Sequence, residues 1–534
     1  MKIHSLPFFR DTRYLRPMSS ERPYLRPAYQ ALGSCIAIGL FSAFVYTALW
    51  YLDFGHQPGA PSPLELIQMV SAGDTVAGLA EVIVAVLGIA ITVVAIIVEL
   101  AANRYTPRIS ELFIRDPVNA AVLCFFSVTA VLVLATAMSI GSPQYPRIMV
   151  TCVVIAMMIS LTALLPYFLY VFDFLTPTSI ITRIQYTAIR SIRTASKQRN
   201  SAVLPARHAV KDSIEQLGDI SLNSLEKKEK AIALAALDGL ADLTIASLYA
   251  KELLPKPWFQ TEELATGDRD FVSLHPAMTR VIETRQTWLE MKVLRQFQSV
   301  FGESVNRIRD CGHMVAIHTR NIATHAVQLQ QPHTLDLTVR FMNTYLRAAI
   351  NKKDVRSAYN LFNEYRSLAE STMMAGQYEH TIQAAERFKF YGQLAFHGAL
   401  PFILETAAYD LCTLIEKSHE MESPSHLPML EIFLDVDREP EGEKGQEDSL
   451  RGVRKAQIKL ATYYLVKGEE AYARRIFEDM RSEPPHRLLS IRKELESIVA
   501  PEYWEVSDRG INFDYLDVER RSQLTTFFSW FQQL

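Results

Sequence analysis

Cysteine is scarce in this chain, with five in 534 residues. Cys35, Cys124 and Cys152 fall in apolar runs, and Cys311 and Cys412 stand far apart in the polar part. That pattern excludes a disulfide framework and a cysteine metal cluster, and it fits a reducing compartment. A glycine-rich phosphate loop, a His-Glu-x-x-His pair and a Gly-x-Ser-x-Gly elbow are all missing. Nothing in the sequence assembles a nucleophile, a base or a cofactor cradle, so neither an enzyme nor a bound cofactor is expected. A basic surplus is also lacking. The net charge is -3, and it divides unevenly: residues 1–199 hold 15 Lys and Arg against 10 Asp and Glu, the remainder 40 against 48. A nucleic-acid partner would need a broad basic face, and is excluded on this ground. Strand-like alternation is nearly absent, which leaves an all-α chain.

Long apolar runs are plentiful. A bilayer core asks for about 20 apolar residues at 1.5 Å rise each. Four stretches qualify, at about 31–52, 76–102, 119–140 and 148–172, with Pro166 expected to kink the last. The first run is too long, and starts too far into the chain, for a cleaved signal peptide, so it reads as an anchor. Orientation follows from basic residues flanking the spans. The tail 1–30 carries Lys2, Arg10, Arg13, Arg16, Arg22 and Arg26; the segment after the second span carries Arg104, Arg108 and Arg115. After the fourth span come Arg183, Arg190, Arg193, Lys197 and Arg199, whereas residues 53–75 contain no Lys or Arg. A multi-pass protein of the bacterial inner membrane, residues 31–173, with both termini cytoplasmic, is the expectation.

Two membrane-proximal features invite a functional reading. Glu81, Ala85, Gly88, Thr92, Ala95 and Glu99 lie within about 40° of one line along the second span, prolonged by Asp74 and Asn103. Structurally, the small residues allow close helix packing and the two glutamates, about 27 Å apart, sit near the two interfaces. Functionally, the stripe lines a watery path with acidic rings in an oligomer. In residues 174–200, Ile181, Ile184, Ala188, Ile192 and Ala195 fall on one helix face and Arg183, Arg190, Arg193 and Lys197 on the other. That helix either lies on an anionic inner leaflet, at about 1 kcal/mol per basic residue, or opens the soluble domain with a solvated basic face.

From residue 201 onward apolar residues recur at helical spacing, for example Ile214, Leu217, Ser221 and Leu225. A long helix is expected over 278–328, bending near Gly302, and a flexible acidic loop over 435–455. Ala358–Arg366 resembles Ala473–Arg481, and Ala375-Gly376-Gln377-Tyr378 followed by Ala384-Ala385 offers a third fragment. These look like degenerate tetratricopeptide-type hairpins at irregular spacing, beside which a generic helical bundle stands as the plain alternative. Cys311, His318 and His325 recur at seven-residue intervals, about 10 Å apart along a helix, too far for shared ligation. With His313 they read as helix-surface residues, and no metal is expected.

Beyond the stripe the chain reads Glu99-Leu-Ala-Ala-Asn-Arg-Tyr-Thr-Pro-Arg108, then Phe113-Ile-Arg-Asp116. This resembles the bacterial predicted membrane proteins grouped as domain of unknown function 2254, whose members show a Tyr-Ser-Pro-Arg element after the second span, then a Phe and an Asp. The family often carries a Ser-Pro-Gly-x-Asn-Asp-Pro run, which this chain lacks; Ser221–Ala231 is the nearest counterpart. The resemblance implies four spans and a helical soluble portion, and no established activity. Physically, Arg104, Tyr105, Pro107 and Arg108 either anchor the interface or form a gate in which an arginine closes on Glu99. The functional expectation is a membrane-anchored interaction or scaffold protein, with a protein partner or self-association. The alternative is an oligomeric channel or transporter lined by the second span.

Overall fold

The computed structural model describes residues 26–54, 72–139, 147–197, 203–437 and 450–532, apart from 503–505, 507 and 511. The basic tail to residue 25, the connections 55–71, 140–146 and 198–202, and residues 438–449 lie outside these, and with them Lys2, Arg10, Arg13, Arg16, Arg22 and Arg199, on which part of the orientation rests. Every regular element among the described residues is helical. The chain divides into two compact units: residues 1–190 with 215–224, and residues 191–214 with 225–534.

The first unit holds α1 (Arg26–Phe54), α2 (Ala72–Arg104), the short α3 (Ile109–Ile114), α4 (Pro117–Ser139) and α5 (Arg147–Phe174). α5 runs unbroken through Pro166. It packs on α1 and α4, and α2 packs on α4 and α5. The core is thin, with Ile83, Val133, Val153 and Met157 at its centre. Leu40, Phe41, Phe44, Val131, Leu134, Leu165 and Leu169 point outward and are exposed. That inversion of the usual soluble pattern is what hydrocarbon surroundings require. Hydroxyls on these helices satisfy themselves locally: Ser127, Thr136, Ser160 and Thr162 each donate to the carbonyl four residues back.

α6 (Pro177–Lys197) follows, with Ile181, Ile184, Ala188, Ile192 and Ala195 buried along one face, then α7 (Val203–Glu226) and α8 (Lys230–Ala250). By length and composition Lys230–Leu253 also qualifies as a span, but 61% of its apolar window is buried within the protein, against 22% for Ala80–Arg104, Pro117–Met138 and Ile148–Phe174. Leu237, Leu240 and Leu243 are fully enclosed. α8 is therefore a core helix of the second unit.

After α9 (Glu262–Gly267), the stretch expected as one long helix over 278–328 is three: α10 (Pro276–Thr284), α11 (Trp288–Ser304) and α12 (Arg309–Gln328). Gly302 sits inside α11; the breaks fall instead at Gln286, with φ 56°, and at residues 305–308. A regular array follows. α12, α13 (Pro332–Asn351), α14 (Val355–Met374), α15 (Tyr378–His397) and α16 (Pro401–Glu420) are each 20 residues long, and each starts 23 residues after the last. Each of the four connections within the array is three residues, and its middle residue is left-handed: Gln330, Lys353, Gly376 and Ala399; after α16 the second residue, Glu422, is left-handed too. The next N–H then reaches back five residues, as in Gln331 to Ala326 at 2.8 Å and Leu400 to Ala395 at 2.9 Å. This is the Schellman C-cap, repeated five times, and it turns each helix back on its predecessor. α12, α14 and α16 therefore run parallel and pack side by side, with α13 and α15 behind them.

α17 (His426–Leu434) interrupts the spacing. α18 (Arg451–Lys467), which packs on α16, begins inside the segment expected as loop: Arg454 is held by Asp437, Asp479 and Glu483, so these charges are paired rather than solvated. α19 (Glu470–Asp479), α20 (Pro485–Ser497) and α21 (Val518–Ser529) complete the unit. The two similar sequence fragments lie in α14 and α19, where Ala358 and Ala473 are both fully buried.

Candidate functional site

On α2 the packed face consists of Ile83, Ala90, Val94 and Val98, all nearly inaccessible. Glu81, Ala85, Gly88, Thr92, Ala95 and Glu99 are all exposed, on the side turned away from the bundle. Close packing within the protomer is therefore not what the small residues serve: a Cβ added at Gly88 would meet nothing within 4 Å. The Thr92 hydroxyl bonds the Gly88 carbonyl at 2.8 Å. Beside the stripe, Ala95, Val98, Glu99, Ser110 and Phe113 line a shallow apolar hollow of 300 Å³.

The Arg104–Asp116 stretch is built differently from either expectation. Tyr105 is 6% exposed, so its ring is not an interface anchor. The Arg104 guanidinium lies over that ring at 5.3 Å. The Tyr105 carbonyl accepts from Asn223 at 2.7 Å, and Arg108 pairs with Glu215 at 3.1 Å, not with Glu99 as a gate would need. Pro107 is exposed. The centre of the stretch is Asp116. Its Oδ1 caps α4 by accepting the Val118 and Asn119 amides at 3.0 and 3.2 Å, and accepts the Tyr170 hydroxyl at 2.9 Å. Its Oδ2 holds Arg183 at 2.9 Å, with both residues 6% exposed. The Arg183 guanidinium stacks over Phe174 at 4.1 Å, and Phe174 meets Phe113 edge-on at 5.5 Å. Arg183 is thus an internal cation, and its expected lipid-headgroup contact is ruled out by burial. Arg190 and Lys197 are exposed and Arg193 half-buried on α6.

The expected surface histidines are structural. His318 is 9% exposed and bonds Asp238 at 2.9 Å; His313 meets Glu364 at 3.4 Å, and His325 meets Tyr249 at 3.2 Å. Cys311 is buried, which pushes its thiol up to about 11.

Sequence reasoning missed a site in the second unit. At the N-terminal ends of α12, α14, α16 and α18 a groove of 1120 Å³ opens. Val355, Phe402 and Val506 stand exposed at its mouth. Tyr359 stacks on Phe402 at 5.8 Å, and Phe513 stacks on Tyr409 at 4.8 Å. Lys455 bridges Glu494 at 2.6 Å and Asp514 at 2.8 Å. Glu405 faces the same space without a hydrogen bond to any described residue, its carboxyl laid against Gly452, where a Cβ would overlap it. Burial first, then Asp514 and Glu494 against the pull of Lys455, pushes Glu405 up to about 7. Between about pH 4.5 and 7 the folded protein therefore keeps a proton that the unfolded chain has released, and stability falls as pH rises through that window. Glu405→Gln should remove this penalty, raising stability at pH 8 by about 2 kcal/mol and leaving it nearly unchanged at pH 4.5. Denaturation of both proteins at the two pH values checks this.

No curated protein and no solved structure matches this chain. The Glu99–Asp116 stretch and the Asp116 hub that it builds lie inside residues 28–228, and over those residues the chain matches the family described as predicted membrane protein (DUF2254).

Proposed function

We propose that this is a membrane-anchored interaction protein, set in the inner membrane with both termini in the cytoplasm, whose second unit takes a segment of a partner polypeptide. The observation that carries the reading is the open groove at the helix ends. It has apolar residues at the mouth, charged residues within and walls drawn from several helices of one array. Stacked helical hairpins of the tetratricopeptide kind present such a surface without needing catalytic groups. Basic residues flanking α6 and the spans favour an anionic leaflet. The test places a photo-crosslinking residue at Phe402 or Val355, and at exposed Leu489 as a control, in the full-length protein in its membrane. One identified partner, captured from the groove positions, absent from the control and lost on Phe402→Glu, is expected. Capture that is equal at all three positions, or no capture, would sink the proposal.

A second reading is self-association around α2, lining a conducting path. It is favoured by the six-residue stripe facing away from its own bundle, since exposed carboxylates at a span are costly against lipid. The mass of the protein in nanodiscs decides it. A closed ring whose ion flux drops on Glu99→Gln supports it; a monomer removes it.

A further inference from the structure

The groove is not electrically uniform. Arg309, Lys353 and Arg356 stand with Asp354 and Asp508 at the α12 and α14 end, and Lys455 with three carboxyls at the end formed by α16, α18, α20 and the segment carrying Asp514. Most of these charges are already matched. Arg356 is held by Asp508 at 2.9 Å, Asp354 caps α14 through the Ser357 amide, and Lys455 is shared by Glu494 and Asp514. Glu494 is further engaged by Arg451 at 2.7 Å. Among the lining carboxyls Glu405 is the exception. It faces Lys455 from α18, Glu494 from α20, and Asp514 and the Tyr409 hydroxyl from the floor, so that three carboxyls, its own included, share the Lys455 ammonium and the Arg451 guanidinium that holds Glu494, and it accepts no hydrogen bond from any described residue.

A half-buried carboxyl among like charges is an unfavourable arrangement, relieved by one added cation with N–H donors. Resting on the groove reading above, we propose that the bound partner segment inserts a lysine or arginine side chain, whose head group pairs with Glu405 while its methylene stem lies against the apolar mouth at Val355 and Phe402. The excess of acidic over basic residues in the chain beyond residue 199, 48 against 40, draws a basic segment toward this unit. Long cationic side chains suit such a site because the stem buries with the apolar wall and only the tip needs a charged partner.

The experiment uses full-length protein in nanodiscs and three sets of degenerate nine-residue peptides, with lysine, norleucine or glutamate fixed at the centre. At pH 8 the lysine set should be retained about tenfold better than the norleucine set, the scale of one charge-assisted hydrogen bond. At pH 5.5 the ratio should fall toward one, because Glu405 takes up a proton. Glu405→Gln should abolish the preference at pH 8 while still retaining the peptides' apolar binding. Retention indifferent to the central residue, a preference for glutamate, or a lysine preference that survives Glu405→Gln would each overturn the proposal and leave the groove as a peptide site. Retention of no set would remove the groove reading as well.

Discussion

Replacing Asp116 with Ala should destabilise the membrane unit by about 3–5 kcal/mol, the cost of leaving a buried charge without its partner. Three losses coincide there. Arg183 loses its carboxylate while still stacked on Phe174, α4 loses the cap on its first amides, and the Tyr170 hydroxyl loses its acceptor. Asp116→Asn should cost less, because asparagine caps a helix about as well and still accepts from Tyr170. Arg183→Met alone should resemble Asp116→Ala, since it strands the other member of the pair. The double variant Asp116→Ala/Arg183→Met should recover part of the loss, because no uncompensated charge remains. Unfolding of the four proteins in mixed detergent micelles measures this. Strictly additive losses would show that the pair is not coupled.

The second large effect lies in the other unit. Lys292 is completely enclosed, and its ammonium donates to both oxygens of Asp268 at 2.8 and 2.7 Å and to Asp270 at 2.7 Å. Burial pulls its pKa down; the paired carboxylates outweigh that, and the net direction is up. The cluster ties the turn after α9 to α11, with Gln296 and Arg295 completing the bonds to Asp270. Lys292→Met keeps the aliphatic volume and removes the charge, leaving Asp268 to Lys211 at 3.5 Å. A loss of about 3–5 kcal/mol is expected from denaturant unfolding of the full-length protein. Lys292→Arg should not rescue it, because a planar guanidinium does not fit a three-donor point site of zero exposure.

Helix content and the membrane helices were legible because they depend on composition and period, which each residue reports locally. So was the amphipathic face of α6: Ile181, Ile184, Ala188, Ile192 and Ala195 are all buried. Arg183 on the opposite side was misread for a physical reason. Its partner Asp116 lies 67 residues away, and no local rule links the two. The cap itself was readable, since Asp116-Pro117 before an apolar run is an N-cap followed by proline at the first helical position. The array of α12–α16 escaped notice because its regularity is in backbone conformation. The left-handed position holds Gln, Lys, Gly, Ala and Glu in turn, and only Gly376 advertises it. The groove is assembled from residues between Arg309 and Asp514, beyond what any single helical pattern contains.

The uniform connections between α12 and α16 set a rule for how this chain can change length. Each turn leaves the next helix in the same relation to the last, so removing residues 355–400 would join Asp354 to Pro401 through an unchanged three-residue link. The surviving helices would keep their sides. Removing half as much would exchange inner and outer rows and expose apolar faces to water. Relatives in this region should therefore differ by even multiples of the helix spacing, and the width of the groove should be inherited in whole steps rather than adjusted residue by residue.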